Sequence, residues 1–359
     1  MSDPQYDTRR VLDRSIGENL DRLITMDMRG DETCRVIYRA ARALTSEPLA
    51  MAGARFLLDR LASGANALFL TGFRIPPAGM PETDGLIGTA ILAFALVRTR
   101  AAVPILVCEP EVIPALAAAV RATGLATTDS VARARALPQT AALVPFAKED
   151  PTPKATAARL AAEIDPGVCI AIERAGRNAQ GQYHFAGGKN VTEAIAPVDD
   201  LFVEVAARGT PTLAIGDFGN ELGMGAIADA VKAQTMAGGQ CGCGCGGGTA
   251  CEIAADLTIA CAVSDWGAYA LAAALAHLAG DPSAFPSGEV YRRVLEATIA
   301  AGAVDGTSRL AIPHIDGISD AFNVPFFEML RSVVAYPNRA TMDNAQRVFR
   351  AKKEGYLLA

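Results

Sequence analysis

The chain lacks most of what would tie it to a membrane or a nucleic acid. No charge-free apolar run is long enough to cross a bilayer; Leu86–Val97 is apolar but has the length of a buried helix. The first ten residues, MSDPQYDTRR, contain no apolar signal core, so the expected location is cytoplasmic. There is no basic run: 33 Lys and Arg stand against 39 Asp and Glu, for a net charge of −6. That balance argues against nucleic acid and against an anionic membrane surface as partners. No G-x-G-x-x-G follows the first strand pattern, and GNELGMG has the wrong spacing, so no nicotinamide or flavin cofactor is expected. Histidine is scarce, with 3, and there is 1 tryptophan. Cysteine is not scarce, with 8, but no C-x2-C knuckle occurs. Cys108, Cys169 and Cys261 lie inside apolar runs and read as buried reduced thiols.

What is present is enough apolar sequence for a large core: 51% of 359 residues are hydrophobic and 20% are charged. Residues 1–63 carry stripes at helical spacing, Leu12, Ile16, Leu20, Leu23 and Ile24, then Ile37, Ala40, Ala41 and Leu44. They predict two or three helices that pack on the main domain or on a second subunit of a homo-oligomer. From residue 64 to 359 short apolar runs alternate with helical patterns. Strands are expected at Ala67–Thr71, Pro104–Cys108, within 125–145, and at Val168–Ile172, Thr210–Ile215 and Ala255–Val263. Helices are expected at 85–98, 111–122, 152–164, 191–208, 221–235, 268–278, 288–301, 323–335 and 340–352. Such alternation predicts an α/β fold with a mostly parallel, Rossmann-like sheet flanked by helices. Two Asp-Gly pairs in 301–319 predict a small β-hairpin, with strands near 307–312 and 315–318 carrying His314 and Asp316.

The strands end in polar residues that packing does not require. Thr71-Gly72 opens a long Gly- and Pro-rich loop that closes on Glu82-Thr83-Asp84-Gly85; Thr83 or Asp84 could cap the helix that follows, but one acid suffices for that. Val168–Ile172 runs into Glu173-Arg174-Ala175-Gly176-Arg177-Asn178, where the arginines suit bidentate binding of a carboxylate or phosphate. The next loop carries Tyr183, His184 and Lys189 and reads as a lid. The run into Ile215 ends at Gly216-Asp217, followed by Gly219, Asn220, Glu221, Gly223 and Gly225, a polar turn at a helix start where α/β sheets bind ligands. Asp200 and Glu204 share a helix face and could hold a hard cation. Ser264-Asp265-Trp266 ends another strand. Cys241, Cys243, Cys245 and Cys251 fall in eleven residues of glycine-rich sequence; four thiolates can bind metal, and a flexible loop with tolerated cysteines explains the pattern equally well.

Together TGF…PETDG (71–85), ERAGRNAQGQYHFAGGKN (173–190), GDFGNELGMG (216–225), VSDWGAYAL (263–271), VDG (304–306) and HIDG (314–317) resemble the D-glutamate cyclase-like family, across residues 20 to 335. The resemblance implies a lyase that closes D-glutamate to 5-oxo-D-proline with loss of water, or a related lactam reaction. In longer relatives this module is C-terminal to a separate hydro-lyase-like module. The family usually has Gly where Phe218 stands and Asn where Asp265 stands.

Lactam formation needs a free amine, an activated carboxylate and groups that move protons. The expected catalytic residues are Glu82, Asp84, Asp217, Glu221 and Lys189, with Thr71, Gly72, Glu173, Arg174, Arg177, Asn220, Ser264 and Trp266 binding the amino-acid or lactam substrate. A divalent Mg²⁺ or Mn²⁺ at Asp217, or at Asp200 and Glu204, is the expected cofactor. The alternatives are a metal-dependent hydrolase or isomerase of another small amino or oxo acid, and a binder without catalysis.

Overall fold

In a computed structural model, residues 8–76 and 79–336 are described. The helix expected at 340–352 lies outside them. Three helices come first: α1 (Thr8–Ile24), α2 (Thr33–Ala43) and α3 (Leu49–Arg60). Ile16, Leu20 and Ile24 of the first apolar stripe are buried, as are Ile37 and Ala41 of the second, whereas Leu44 is exposed. These helices join the core shared with α10, so the N-terminal segment packs on the main domain.

The sheet follows. Strand β1 (Asn66–Thr71) leads through the two-residue strands β2 (Arg74–Ile75) and β3 (Met80–Pro81) to α4 (Leu86–Arg100). Then come β4 (Val103–Cys108), α5 (Ile113–Ala122), β5 (Ala126–Thr128), α6 (Val131–Ala136), β6 (Thr140–Pro145), α7 (Pro153–Ile164) and β7 (Val168–Ile172). After a long loop come α8 (Asp199–Ala207), β8 (Thr212–Gly216), α9 (Ala228–Gln234), β9 (Leu257–Ala260), α10 (Ser264–Ala279) and α11 (Gly288–Ala300). The described chain closes with β10 (His314–Ile315), β11 (Ile318–Ser319) and α12 (Asp320–Ala335).

Seven strands form one sheet in the order β5-β6-β4-β1-β7-β8-β9, and every pairing is parallel. Its strands are apolar on both faces because both faces are covered. Ala67 and Phe69 enter the core under α4 and α10, while Leu68 and Leu70 enter the one under α7 and α8. Strand β1 connects outward to β4, and β7 connects the other way to β8. The order therefore reverses between β1 and β7, which are paired up to Thr71 and Ile172. A crevice opens at the carboxyl ends of strands at such a switch point.

Several expected boundaries shift for local reasons. The helix expected over 191–208 is interrupted, since Pro197 has no N–H and restrains Ala196; only α8 remains regular. The helix expected from 221 begins at Ala228, because Gly223 has φ 93° and residues 221–224 bridge to neighbouring segments. Strand β9 is shorter than expected, as Asp256 turns its carboxylate onto the N–H and hydroxyl of Thr212. The hairpin forms around Asp316-Gly317 alone, both at positive φ. Residues 307–312 are not a strand: Asp305 accepts the N–H groups of Ser308 and Gly317, each at 2.7 Å, and ties that segment into a loop. No helix among the described residues is long and apolar enough to cross a membrane.

Candidate active site

A cavity of about 200 Å³ lies at the switch point. Its walls come from the β1 and β3 loops (Phe73, Glu82), the end of β7 (Glu173), the turn after β8 (Asp217, Phe218, Asn220), Phe185–Gly187, Gly306-Thr307, Asp316, and Arg29 from the α1–α2 loop. Four carboxyl groups therefore face one guanidinium: Glu82, Glu173, Asp217 and Asp316 against Arg29.

Arg29 was not legible as a site residue. Its Nη1 donates to Asp217 at 2.9 Å and to Asp316 at 3.1 Å, and its Nη2 donates to the carbonyl of Ala262 at 2.6 Å. Its guanidinium carbon lies 3.9 Å from the centre of the Phe218 ring. Phe218 is thus a platform for the cation that bridges two of the cavity's acids.

Glu173 occupies a left-handed backbone position, φ 42°, at the end of β7. Its neighbour in space is Gly85, whose own φ is 81°; a Cβ there would sit 2.6 Å from the Glu173 Cβ. The Glu173 carboxyl accepts the Ser264 hydroxyl at 2.5 Å. Burial, then Asp217, push its pKa well above the carboxylate range. Glu82 is likewise raised, by burial and then by Asp316 and Asp217. Among the described residues no hydrogen bond holds the Glu82 carboxyl. Asp316 is raised by burial and Asp217.

The other expected acids stand behind this wall. Glu221 folds back over its own turn and accepts the N–H groups of Phe218 at 2.9 Å and Gly219 at 2.7 Å. Burial and Asp217 raise its pKa to about 8. Asp84 caps α10, accepting the N–H groups of Asp265 and Ser264, and its Oδ1 also accepts the N–H of Gly85 ahead of α4. Both residues thus support the cavity's geometry without lining it.

Several expected assignments are corrected. Arg174 does not line the cavity: it is fully buried and forms a bidentate pair with Glu109, at 2.5 and 2.8 Å, while donating to the carbonyls of Gly72 and Ala196. It locks together the ends of β1, β4 and β7. Gly72 contributes that carbonyl. Arg177 pairs with Asp200 at 2.8 Å and Asp199 at 3.4 Å, and neither Arg177 nor Asp200 lines the cavity. Glu204 pairs with Arg208 on its own helix. Trp266 is core: its ring stacks on Phe326 at 4.2 Å and its N–H donates to Asn323. Lys189 is exposed and outside the cavity lining, on the turn next to Gly187. Asn220 does line the cavity, with its amide donating to the His184 carbonyl and its Oδ1 buried without a partner; the Thr71 hydroxyl is buried without one as well.

The cysteine group also changes. Cys241, Cys243 and Cys245 converge on His184, whereas Cys251 lies apart, bonded to the backbone of Ile253. All eight cysteines are free thiols.

The fold is of the α/β class, and its carboxylate-lined cavity lies at the switch point where such sheets bind ligands. The D-glutamate cyclase-like, C-terminal family matches residues 20–331, and the chain belongs to that family. A human relative named "D-glutamate cyclase, mitochondrial" is 42% identical over 109 residues, which is 30% of this chain and 16% of that protein.

Proposed function

We propose that the protein is an enzyme of the D-glutamate cyclase type, closing D-glutamate to 5-oxo-D-proline and water at the cavity bounded by Glu82, Glu173, Asp217 and Asp316. The observation that carries the reading is the concentration of four carboxyl groups and one guanidinium around an open cavity of about 200 Å³, a size suited to a single amino acid. The family membership and the name of the human relative support the substrate.

Carboxyl groups pushed above their ordinary range are suited to exchange protons near neutral pH. In this reading Glu173, held by Ser264, takes a proton from the substrate ammonium. The amine lone pair then attacks the side-chain carboxyl carbon; the C–N bond forms and a C–O bond breaks. Glu82, whose carboxyl has no hydrogen bond among the described residues, delivers one proton to the departing oxygen and Glu173 returns the proton it took, so that the oxygen leaves as water; the nitrogen's second proton passes to Glu82 and restores it. Arg29 and the Asn220 side chain orient the substrate carboxylates.

An anionic substrate does not enter a wall of acids unaided. The donor set fits a hard divalent cation such as Mg²⁺ or Mn²⁺: Asp217 belongs to two groups of clustered carboxylates, one with Asp84 and Asp316 and one with Glu173 and Glu221. Asp217 with Asp316 or Glu173 would hold it, and the cation would polarise the reacting carboxylate. The test is conversion of D-glutamate, and of 5-oxo-D-proline in the reverse direction, by protein supplied with each cation. Turnover of either supports the reading. Failure of both under every condition removes this substrate.

A further inference from the structure

We propose that His184, Cys241, Cys243 and Cys245 bind a zinc ion that fastens the cavity's loop wall to the glycine-rich loop at residues 238–249. The ligand atoms already surround one point. Cys241 Sγ lies 3.3 Å from both Cys243 Sγ and Cys245 Sγ, and His184 Nε2 lies 3.2 Å from Cys243 Sγ and 3.7 Å from Cys245 Sγ. All four lie within 4.8 Å of one another. In a tetrahedral zinc site with bonds of about 2.3 Å to sulfur and 2.0 Å to nitrogen, sulfur–sulfur edges are about 3.8 Å and sulfur–nitrogen edges about 3.5 Å. Shifts of about half an ångström complete that geometry.

The surroundings favour thiolates. Cys245 Sγ accepts the N–H of Gly247 at 3.4 Å and the Asn178 amide at 3.5 Å; the Asn190 amide lies 3.8 Å from Cys243 Sγ. Soft thiolates with one imidazole select zinc over the hard cations suited to the carboxylate cavity. Ligand atoms this close enclose a single ion rather than an iron–sulfur cluster. The chain curls to bring its sulfurs inward through Gly244 and Gly246, both at positive φ. Binding moves no electrons: the thiols release their protons to solvent, and His184 donates the Nε2 lone pair.

The consequence follows from His184's neighbours. Its carbonyl accepts the Asn220 amide at 3.0 Å, and Phe185 stacks on Phe73 with ring centres 5.2 Å apart. Phe185, Ala186 and Gly187 line the cavity. An ion on His184 therefore fixes one wall of the cavity, through residues distinct from the carboxylates, and does not depend on what the cavity turns over.

The test is zinc content of the full chain by elemental analysis, with Co²⁺ substituted for zinc as a spectroscopic probe. About one zinc per chain is expected, with the thiolate charge-transfer and intense d–d bands of tetrahedral Co²⁺. Cys243→Ser, an exposed change, lowers zinc to below about a tenth of that, and His184→Ala does the same. Cys251→Ser keeps the zinc. Stripping the ion increases protease cleavage within 238–249. Substoichiometric zinc in protein with intact thiols, iron with acid-labile sulfide, or equal zinc loss in Cys251→Ser would overturn the proposal.

Discussion

Asp84 and Asp265 cap each other's helices. Asp84 Oδ1 accepts the N–H of Asp265 at 2.8 Å, at the start of α10, while Asp265 Oδ1 accepts those of Gly85 at 2.9 Å and Gly88 at 2.6 Å, at the start of α4. The helices approach so closely that a Cβ on Gly88 would lie 2.6 Å from Asp265 Oδ1. The remaining Asp265 oxygen accepts the Tyr269 hydroxyl, at 2.9 Å. The charge at position 265 is therefore part of a structural clasp and does not line the cavity.

An amide should be tolerated at one of these positions and not at the other. Asp265→Asn keeps the oxygen that accepts both N–H groups, and the Tyr269 hydroxyl can turn to accept. Asp84 uses both its oxygens on backbone donors, Oδ2 taking Ser264 at 3.2 Å, so Asp84→Asn points an N–H at an N–H. Burial raises Asp265 to about 7. Its carboxyl binds a proton more tightly folded than unfolded, so its contribution is full below about pH 4 and is lost as pH rises through 7. Thermal melts of Asp265→Asn should exceed the parent by about 2–5 °C at pH 8 and match it near pH 4. Asp84→Asn should melt lower at both.

The buried pair of Arg174 and Glu109 should behave as structure. Removing one partner leaves a charge desolvated and unmatched, which costs about 3–5 kcal/mol. Denaturant titration of Glu109→Gln and Arg174→Met should show losses of that order. A variant that instead keeps full stability and raises only KM would return Arg174 to the substrate.

The carboxyl cluster makes stability depend on pH in a defined direction. Glu82, Asp84, Glu173 and Asp316 are raised well above their ordinary values, and Glu221 to about 8, burial being the first cause in each. Groups raised by folding favour the fold at low pH and oppose it once ionised. Stability should therefore fall as pH rises from about 5 through 8. The proposed divalent cation would relieve the ionised cluster, so Mn²⁺ should raise the melting temperature more at pH 8 than at pH 5.

Arg29 pairs with Asp217 and Asp316 and would compete with the proposed cation for them. Calorimetry of Arg29→Met should show Mn²⁺ binding tightened by about threefold or more, since the cluster loses its own counter-charge. Phe218→Gly, which removes the platform beneath Arg29, should move affinity the same way by a smaller amount. Weaker binding in both would show that Arg29 does not oppose the cation.

What could be read from the chain and what could not divides along sequence separation. Strands such as Val168–Ile172 and Thr212–Gly216 are apolar runs that end abruptly in acids, so both the parallel sheet and the acidic strand ends were visible. Glu82, Glu173 and Asp217 lie at the cavity as those endings suggested. Arg29 was not visible, because its partners stand 188 and 287 residues away and no local spacing marks the pairing. The same blindness gave Arg174 to a substrate carboxylate, when Glu109 is its partner 65 residues upstream. It also put Cys251 with the cysteine cluster, where His184 completes the group from 59 residues before Cys243.

Asp217 is the residue on which the account of the cavity turns, since it meets Arg29 and belongs to both carboxylate groups. The most direct measurement is the rate of 5-oxo-D-proline formation from D-glutamate, with Mn²⁺, by the parent and by folded Asp217→Asn. The account predicts turnover by the parent and a loss of about a hundredfold or more in the variant. A folded Asp217→Asn protein that turns over at the parent rate would contradict it.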